Sequence, residues 1–229
     1  MLIHRTLTIA GRKTAFTFAP VAINYCRSMA IMLLVAGSLL TCACSKTPQM
    51  TKLSPDATIL AFGDSLTFGT GAGESESYPA VLNRLTGKKV VNAGVPGEVS
   101  STGILRLPEL LDRDHPALVI LCHGGNDLLA HQNHQQIADN LRDMIRMCKD
   151  RGIQVVLVAV PSPDLALKPP NLYEELAKEF QIPLEQKSLP RILGKGSLKS
   201  DHIHPNAAGY RLLAEDLVKL LRKSGALPS

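Results

Sequence analysis

The first 44 residues contain no aspartate or glutamate, although the chain as a whole carries 20 acidic residues. Arg5, Arg12, Lys13 and Arg27 stand unopposed there, and the segment ends in Met29 to Leu40, which is almost wholly apolar. This pattern excludes an ordinary packed domain over residues 1–44 and reads as a targeting segment. Its apolar run of about a dozen residues has signal-peptide length and falls short of the ~20 that span a bilayer comfortably. Four of the five net positive charges lie here, so its removal leaves 5 − 4 = +1. A nearly neutral remainder offers no basic face for nucleic acid. Cysteine is also scarce, five in 229 residues, with only Cys122 and Cys148 beyond position 44. That excludes a disulfide-dense framework, and two buried thiols are expected rather than a bridge. Finally, Gly69-Thr70-Gly71-Ala72-Gly73-Glu74 lacks the Lys-Ser/Thr ending of a phosphate-binding loop, so it reads as a flexible rim.

The end of the apolar run carries a second signal. Leu39-Leu40-Thr41-Cys42-Ala43-Cys44-Ser45 resembles a bacterial lipobox, in which small residues precede a cysteine that is lipidated and becomes the mature N-terminus. Cys44 is the expected lipidation site and Cys42 the alternative. An uncleaved signal anchor and a secreted chain are the competing readings. Cleavage before Cys44 leaves 229 − 43 = 186 residues, enough for one domain with a sizeable core. The expected organisation is a signal peptide with lipobox over 1–44, a tether over 45–56 marked by Pro48, Ser54 and Pro55, and a single domain over 57–229.

Within that domain, apolar runs alternate with helical periodicity. Ile59-Leu60-Ala61-Phe62 stops on Gly63-Asp64-Ser65 and reads as a buried central strand ending in a sharp turn. Lys89 to Ala93, Ala117 to Cys122, Val155 to Val160 and Ile182 to Leu184 read as further strands. Helices are expected over Tyr78 to Leu85, Ser100 to Asp112 with Pro108 as kink or break, Gln135 to Lys149, Leu172 to Phe180 and Asn206 to Arg222. Asp164 to Asn171 is expected to form a loop over the site. Strand–helix alternation implies an α/β fold, a three-layer α/β/α sandwich around a parallel sheet. In such sheets chemistry sits beyond the carboxyl ends of the strands, which is where Ser65 falls.

At the far end of the chain, Ser200-Asp201-His202-Ile203-His204-Pro205-Asn206 offers a base and a carboxylate three residues apart. Together with Gly63-Asp64-Ser65-Leu66, this segment closely resembles the first and last blocks of the GDSL, or SGNH, hydrolases. Asn92-Ala93-Gly94-Val95-Pro96-Gly97-Glu98 resembles the family's glycine block, and Gly124-Gly125-Asn126-Asp127 its asparagine block. All four stand in the family's order over about residues 57 to 222, nearest the bacterial arylesterase and thioesterase I/lysophospholipase branch. The resemblance implies a flavodoxin-like strand order and makes residues 57–229 an SGNH hydrolase domain. It also implies a serine esterase acting on acyl esters or thioesters, aryl esters and lysophospholipids included.

In that reading Ser65 is the nucleophile, His204 its base and Asp201 the group that fixes the imidazole tautomer. The N–H groups of Ser65 and Gly97 and the Asn126 amide meet the oxyanion. No cofactor, metal, nucleic acid or obligate protein partner is implied; the partners are a small acyl ester or lipid and, through the anchor, a membrane. The expected location is the bacterial cell envelope, facing the periplasm. Other readings stay open: an O-deacetylase of envelope glycans, a non-catalytic binding lipoprotein, a zinc site using Asp201, His202 and His204, and plain cap or turn roles for Asn126, Asp127 and Gly97. Four positions depart from the family pattern. Pro96 stands where a small polar residue is usual, Glu98-Val99 replaces an acidic-Thr/Ser pair, and His123 precedes Gly124 in place of an apolar residue. His115, His131 and His134 read as solvated surface, and Asp64 as support for the turn.

Overall fold

The computed structural model describes residues 47–228. The leader, Cys42 and Cys44, and residues 45 and 46 of the expected tether lie outside the described residues. In chain order the elements are β1 Thr58–Gly63, α1 Ser65–Phe68, α2 Tyr78–Thr86, β2 Lys89–Gly94, α3 Ser100–Asp114, β3 Leu118–Cys122, α4 Gly125–Leu129, α5 His134–Asp150, β4 Gln154–Val158, α6 Leu172–Phe180, β5 Leu184–Glu185, α7 Ser188–Leu193 and α8 Ala207–Lys223. All five strands are parallel, in the order β2-β1-β3-β4-β5. This is the flavodoxin-like order that the resemblance implies. Central strands of such a sheet are covered on both faces, and Ile59 to Phe62 and Leu118 to Leu121 are accordingly apolar without alternation and fully buried.

The handedness of parallel crossovers distributes the helices. From β1 the chain crosses to β2 on one side; from β2 it crosses back over β1 to β3 and continues in that direction. Right-handed connections therefore place α2 on one face and α3, α5 and α6 on the other. Packing agrees, with α2 against α8, α3 against α5 and α5 against α6. The reversal of direction leaves a crevice between the carboxyl ends of β1 and β3, where side chains from separate loops can meet.

Some expected boundaries shift for identifiable reasons. Helix α3 runs unbroken through Pro108. A proline removes one helical N–H, and here Leu107 and Leu111, both buried, hold the helix on either side. The expected tether lies along the body from Met50 onward: Met50 N–H donates to Ser224 O at 2.7 Å, Leu53 N–H donates to Ala226 O at 2.9 Å, and Leu53 is buried. Cys122 and Cys148 are buried free thiols. Among the described residues no helix is long and apolar enough to cross a membrane.

Candidate active site

The turn after β1 is set by a glycine with no room to spare. A Cβ on Gly63 would overlap the Cys122 carbonyl oxygen of neighbouring β3 and the Thr67 hydroxyl, so only glycine lets β1 and β3 close up where the strand ends. Asp64 then caps α1, its buried carboxylate accepting Leu66 N–H at 3.0 Å. Burial raises its pKa, with the nearby His123 working in the opposite direction. The supporting role expected for Asp64 is the one observed. Ser65, the first residue of α1, thus has a backbone N–H that makes no bond within the described residues and a side chain at the mouth of the crevice.

Asp201, His202 and His204 come from the loop before α8, whose start is capped by Asn206 accepting Gly209 N–H at 3.1 Å. Asp201 Oδ1 accepts the backbone N–H groups of Ile203 and His204, both at 2.8 Å, folding the loop around its own carboxylate. Its Oδ2 lies 2.8 Å from His204 Nδ1. His204 Nε2 in turn lies 3.0 Å from Ser65 Oγ. Partial burial of Asp201 opposes its ionisation, but the His204 ring and the two backbone donors outweigh it and hold the carboxyl below its ordinary range. An ionised Asp201 can only accept, so His204 Nδ1 carries the proton, and bare Nε2 is left to accept the Ser65 hydroxyl proton. Both ring nitrogens are engaged and His202 is exposed, an arrangement unlike a zinc site. His115, His131 and His134 are exposed as expected.

Of the three expected oxyanion donors, Ser65 and Asn126 line the same cavity. Asn126 does not cap α4, whose N-cap position is Gly124 and which has no side-chain cap. Instead Asn126 Nδ2 donates to the backbone carbonyl of Glu98 at 2.9 Å, leaving its second N–H uncommitted among the described residues. Asp127 is no cap either. It accepts both the N–H and the hydroxyl of Ser100, joining α4 to the start of α3. Gly97 does occupy a turn: with φ 77° it follows Pro96, and Glu98 N–H donates to Val95 O at 3.2 Å, the backbone of a type II turn. It is exposed, its N–H makes no bond within the described residues, and it stands outside the cavity lining.

The cavity measures about 920 Å³. Leu66, Leu129, Val160, Leu165, Leu167 and Ile203 give it an apolar wall, with Ser65, Asn126 and His204 beside them. Of the loop expected over Asp164 to Asn171, residues 164–167 line the cavity: Asp164 Oδ1 accepts Ala166 and Leu167 N–H, and Leu167 adopts φ 48°. A cleft of this size with few, convergent polar groups suits a small ligand with an apolar chain.

The profile of the GDSL-like lipase/acylhydrolase family matches residues 61–212. The chain belongs to that family. It is therefore a serine ester hydrolase, and the family's four sequence blocks lie at one sheet edge. It is 33% identical to thioesterase 1/protease 1/lysophospholipase L1 of Escherichia coli K12 over 173 residues, covering 72% of this chain and 83% of that protein. To the esterase TesA of Pseudomonas aeruginosa it is 30% identical over 202 residues, covering 81% and 98%. A crystal structure of TesA superimposes with a TM-score of 0.65 at 28% identity, over 72% of this chain and 98% of that one.

Sequence reasoning missed Arg106. It donates from Nη2 to Gly63 O at 3.2 Å, to Ala93 O at 2.8 Å and to Glu98 Oε2 at 2.7 Å, with Nε on Glu98 Oε1 at 2.7 Å. Its one local signal is Gly103, an unfavourable residue inside a helix one turn earlier.

Proposed function

We propose that this hydrolase cleaves acyl esters and thioesters through an acyl-enzyme on Ser65, on substrates that include aryl esters, acyl thioesters and lysophospholipids. The observation that carries the reading is the continuous chain Ser65 Oγ, His204 Nε2, His204 Nδ1, Asp201 Oδ2 at the foot of an apolar cleft. Ser65 Oγ attacks the acyl carbon while its proton passes to His204 Nε2. The carbonyl oxygen becomes an oxyanion, met by the N–H groups of Ser65 and Gly97 and the free N–H of Asn126. Collapse expels the alcohol or thiol, which takes the proton from His204. Water then repeats the sequence on the acyl-enzyme, releasing the carboxylic acid and restoring Ser65. The apolar wall supports an acyl chain longer than acetyl, and the names of the relatives support the range of leaving groups.

The test is a rate profile over p-nitrophenyl esters of increasing chain length, with an acyl thioester, a lysophospholipid and an acetylated glycan alongside. Rates that rise beyond acetate, with turnover of the lysophospholipid, are the expected result. Turnover of acetyl esters alone would overturn the substrate class in favour of a deacetylase. A phosphonate probe should label Ser65, and failure to label would point to a binding protein.

The location completes the proposal: a lipoprotein of the bacterial envelope, facing the periplasm, attached through Cys44. The basic leader, the apolar run and the lipobox-like Leu39 to Ser45 support it. Lipidation with more than one chain gives stable attachment. Cys44→Ser should therefore release the protein from the membrane fraction. Release by Cys42→Ser alone would reassign the modified cysteine, and release by neither would favour an uncleaved anchor.

A further inference from the structure

Val95, Pro96 and Gly97 are exposed, yet the next residue, Glu98, is buried. Its carboxylate reaches beneath the turn to three donor atoms: Arg106 Nε and Nη2, both at 2.7 Å, and His123 Nε2 at 3.1 Å. Burial opposes ionisation of Glu98, but the hydrogen bonds from His123 and Arg106 and the Arg106 charge outweigh it and hold its pKa at about 2. His123 is itself fully buried and held on every side. Its Nδ1 accepts Gly124 N–H at 2.9 Å, which leaves the Nε2 proton for Glu98, and its carbonyl accepts the Tyr173 hydroxyl at 2.9 Å. Gly103 of α3 makes the room, since a Cβ there would come within 2.5 Å of His123 Nε2 and 3.1 Å of Glu98 Oε2. Arg106 stacks 4.2 Å above the Phe62 ring and donates to the carbonyls of Gly63, the last residue of β1, and Ala93, the last but one of β2. One carboxylate thus binds together the ends of three strands, and the peptide that bears it also holds Asn126.

We infer that His123, Glu98 and Arg106 are positioning residues that lock the Val95–Glu98 turn and the Asn126 amide in place for the oxyanion. The inference rests on the proposed oxyanion roles of Gly97 and Asn126. A buried ionic cluster is weak evidence for stability in itself, because desolvation offsets its attraction. Its value here is geometric. Donors act on a transition state only if they are already aimed at the oxygen's final position, and displacement of about 1 Å can cost about 10²-fold.

The test compares His123→Leu with His123→Gln. Leucine has similar bulk and can pack on Phe62 but donates nothing, whereas glutamine can extend an N–H to Glu98. His123→Leu should lower kcat by about 10- to 100-fold with KM within about twofold, and should weaken phenylboronic acid, which forms a tetrahedral adduct on serine, by a similar factor. His123→Gln should recover most of both. In the Asn126→Ala background the same His123→Leu change should cost less, because the donor it positions has gone. Full kcat in folded His123→Leu, or no recovery in His123→Gln, would overturn the inference. If His123→Leu does not fold, Glu98→Gln carries the test: kcat falls with KM held, and unchanged kcat overturns the inference. Asn126→Ala separates the two levels. Normal kcat there removes Asn126 from the oxyanion reading and with it this inference, whereas a loss there beside normal His123→Leu removes only the inference.

Discussion

Ser65→Ala should lower kcat on a short-chain aryl ester by about 10⁶-fold while leaving the protein folded. The effect is large because, in the proposed mechanism, the hydroxyl is the atom group that forms the covalent intermediate. With it gone, His204 has no proton to take and Asp201 no imidazolium to stabilise, so the remaining machinery acts on water with poor geometry. The fold should not notice. Among the described residues Ser65 Oγ makes one hydrogen bond, to a half-buried His204, and α1 is started by Asp64 and closed by Gly69 in the left-handed conformation. The assay is kcat by active-site-normalised turnover alongside a thermal melt, and near-parental activity in Ser65→Ala would sink the mechanism. Chelators should leave parental turnover unchanged when added directly to the assay. Loss of activity on chelation, restored by zinc, would instead bring His202 back as a ligand.

The geometry of this site was largely legible in the sequence because it is built from local turns. Gly63-Asp64-Ser65 announces a strand stopping at a tight corner, and Asp201 to His204 folds around a single carboxylate, so each half reads as a short motif. Central strands were legible for a related reason: Ile59 to Phe62 of β1 and Leu118 to Leu121 of β3 are covered on both faces and include no polar residue, and Ile182 to Leu184 read as a strand although the paired residues are Leu184–Glu185, whereas the short helices α4 and α7 carry too few positions for a period to show. Of the kink or break expected at Pro108 the break does not occur, because the local rule against helical proline takes no account of Leu107 and Leu111 buried beside it. The cluster under the glycine block was illegible for a third reason. Glu98 and His123 stood out only as unusual residues, and Arg106 not at all, because their meaning is a meeting in space. Arg106 touches Gly63, which lies 43 positions earlier, only because a helix laid over the sheet brings it to the ends of β1 and β2.

Asn126→Ala should lower kcat by about 10²–10³ with little change in KM, the signature of a donor used only in the transition state. Structure sharpens what this experiment must separate. The amide is not a helix cap, so the loss of a cap does not arise, but its bond to the Glu98 carbonyl does. Alanine leaves that half-buried carbonyl without its donor, at a cost of about 1 kcal/mol in stability. Two effects are therefore expected from one substitution, and they report on the two N–H groups of the same amide. The bond to Glu98 is present in every state of the enzyme and appears in the denaturant midpoint. The proposed bond to the oxyanion would exist only when the carbonyl oxygen is charged and would appear in kcat of the folded fraction. Measured on one preparation, a lowered midpoint with normal kcat would show that Asn126 serves the glycine turn and nothing more. A lowered kcat with KM held would make it an oxyanion donor, with Glu98 aiming it.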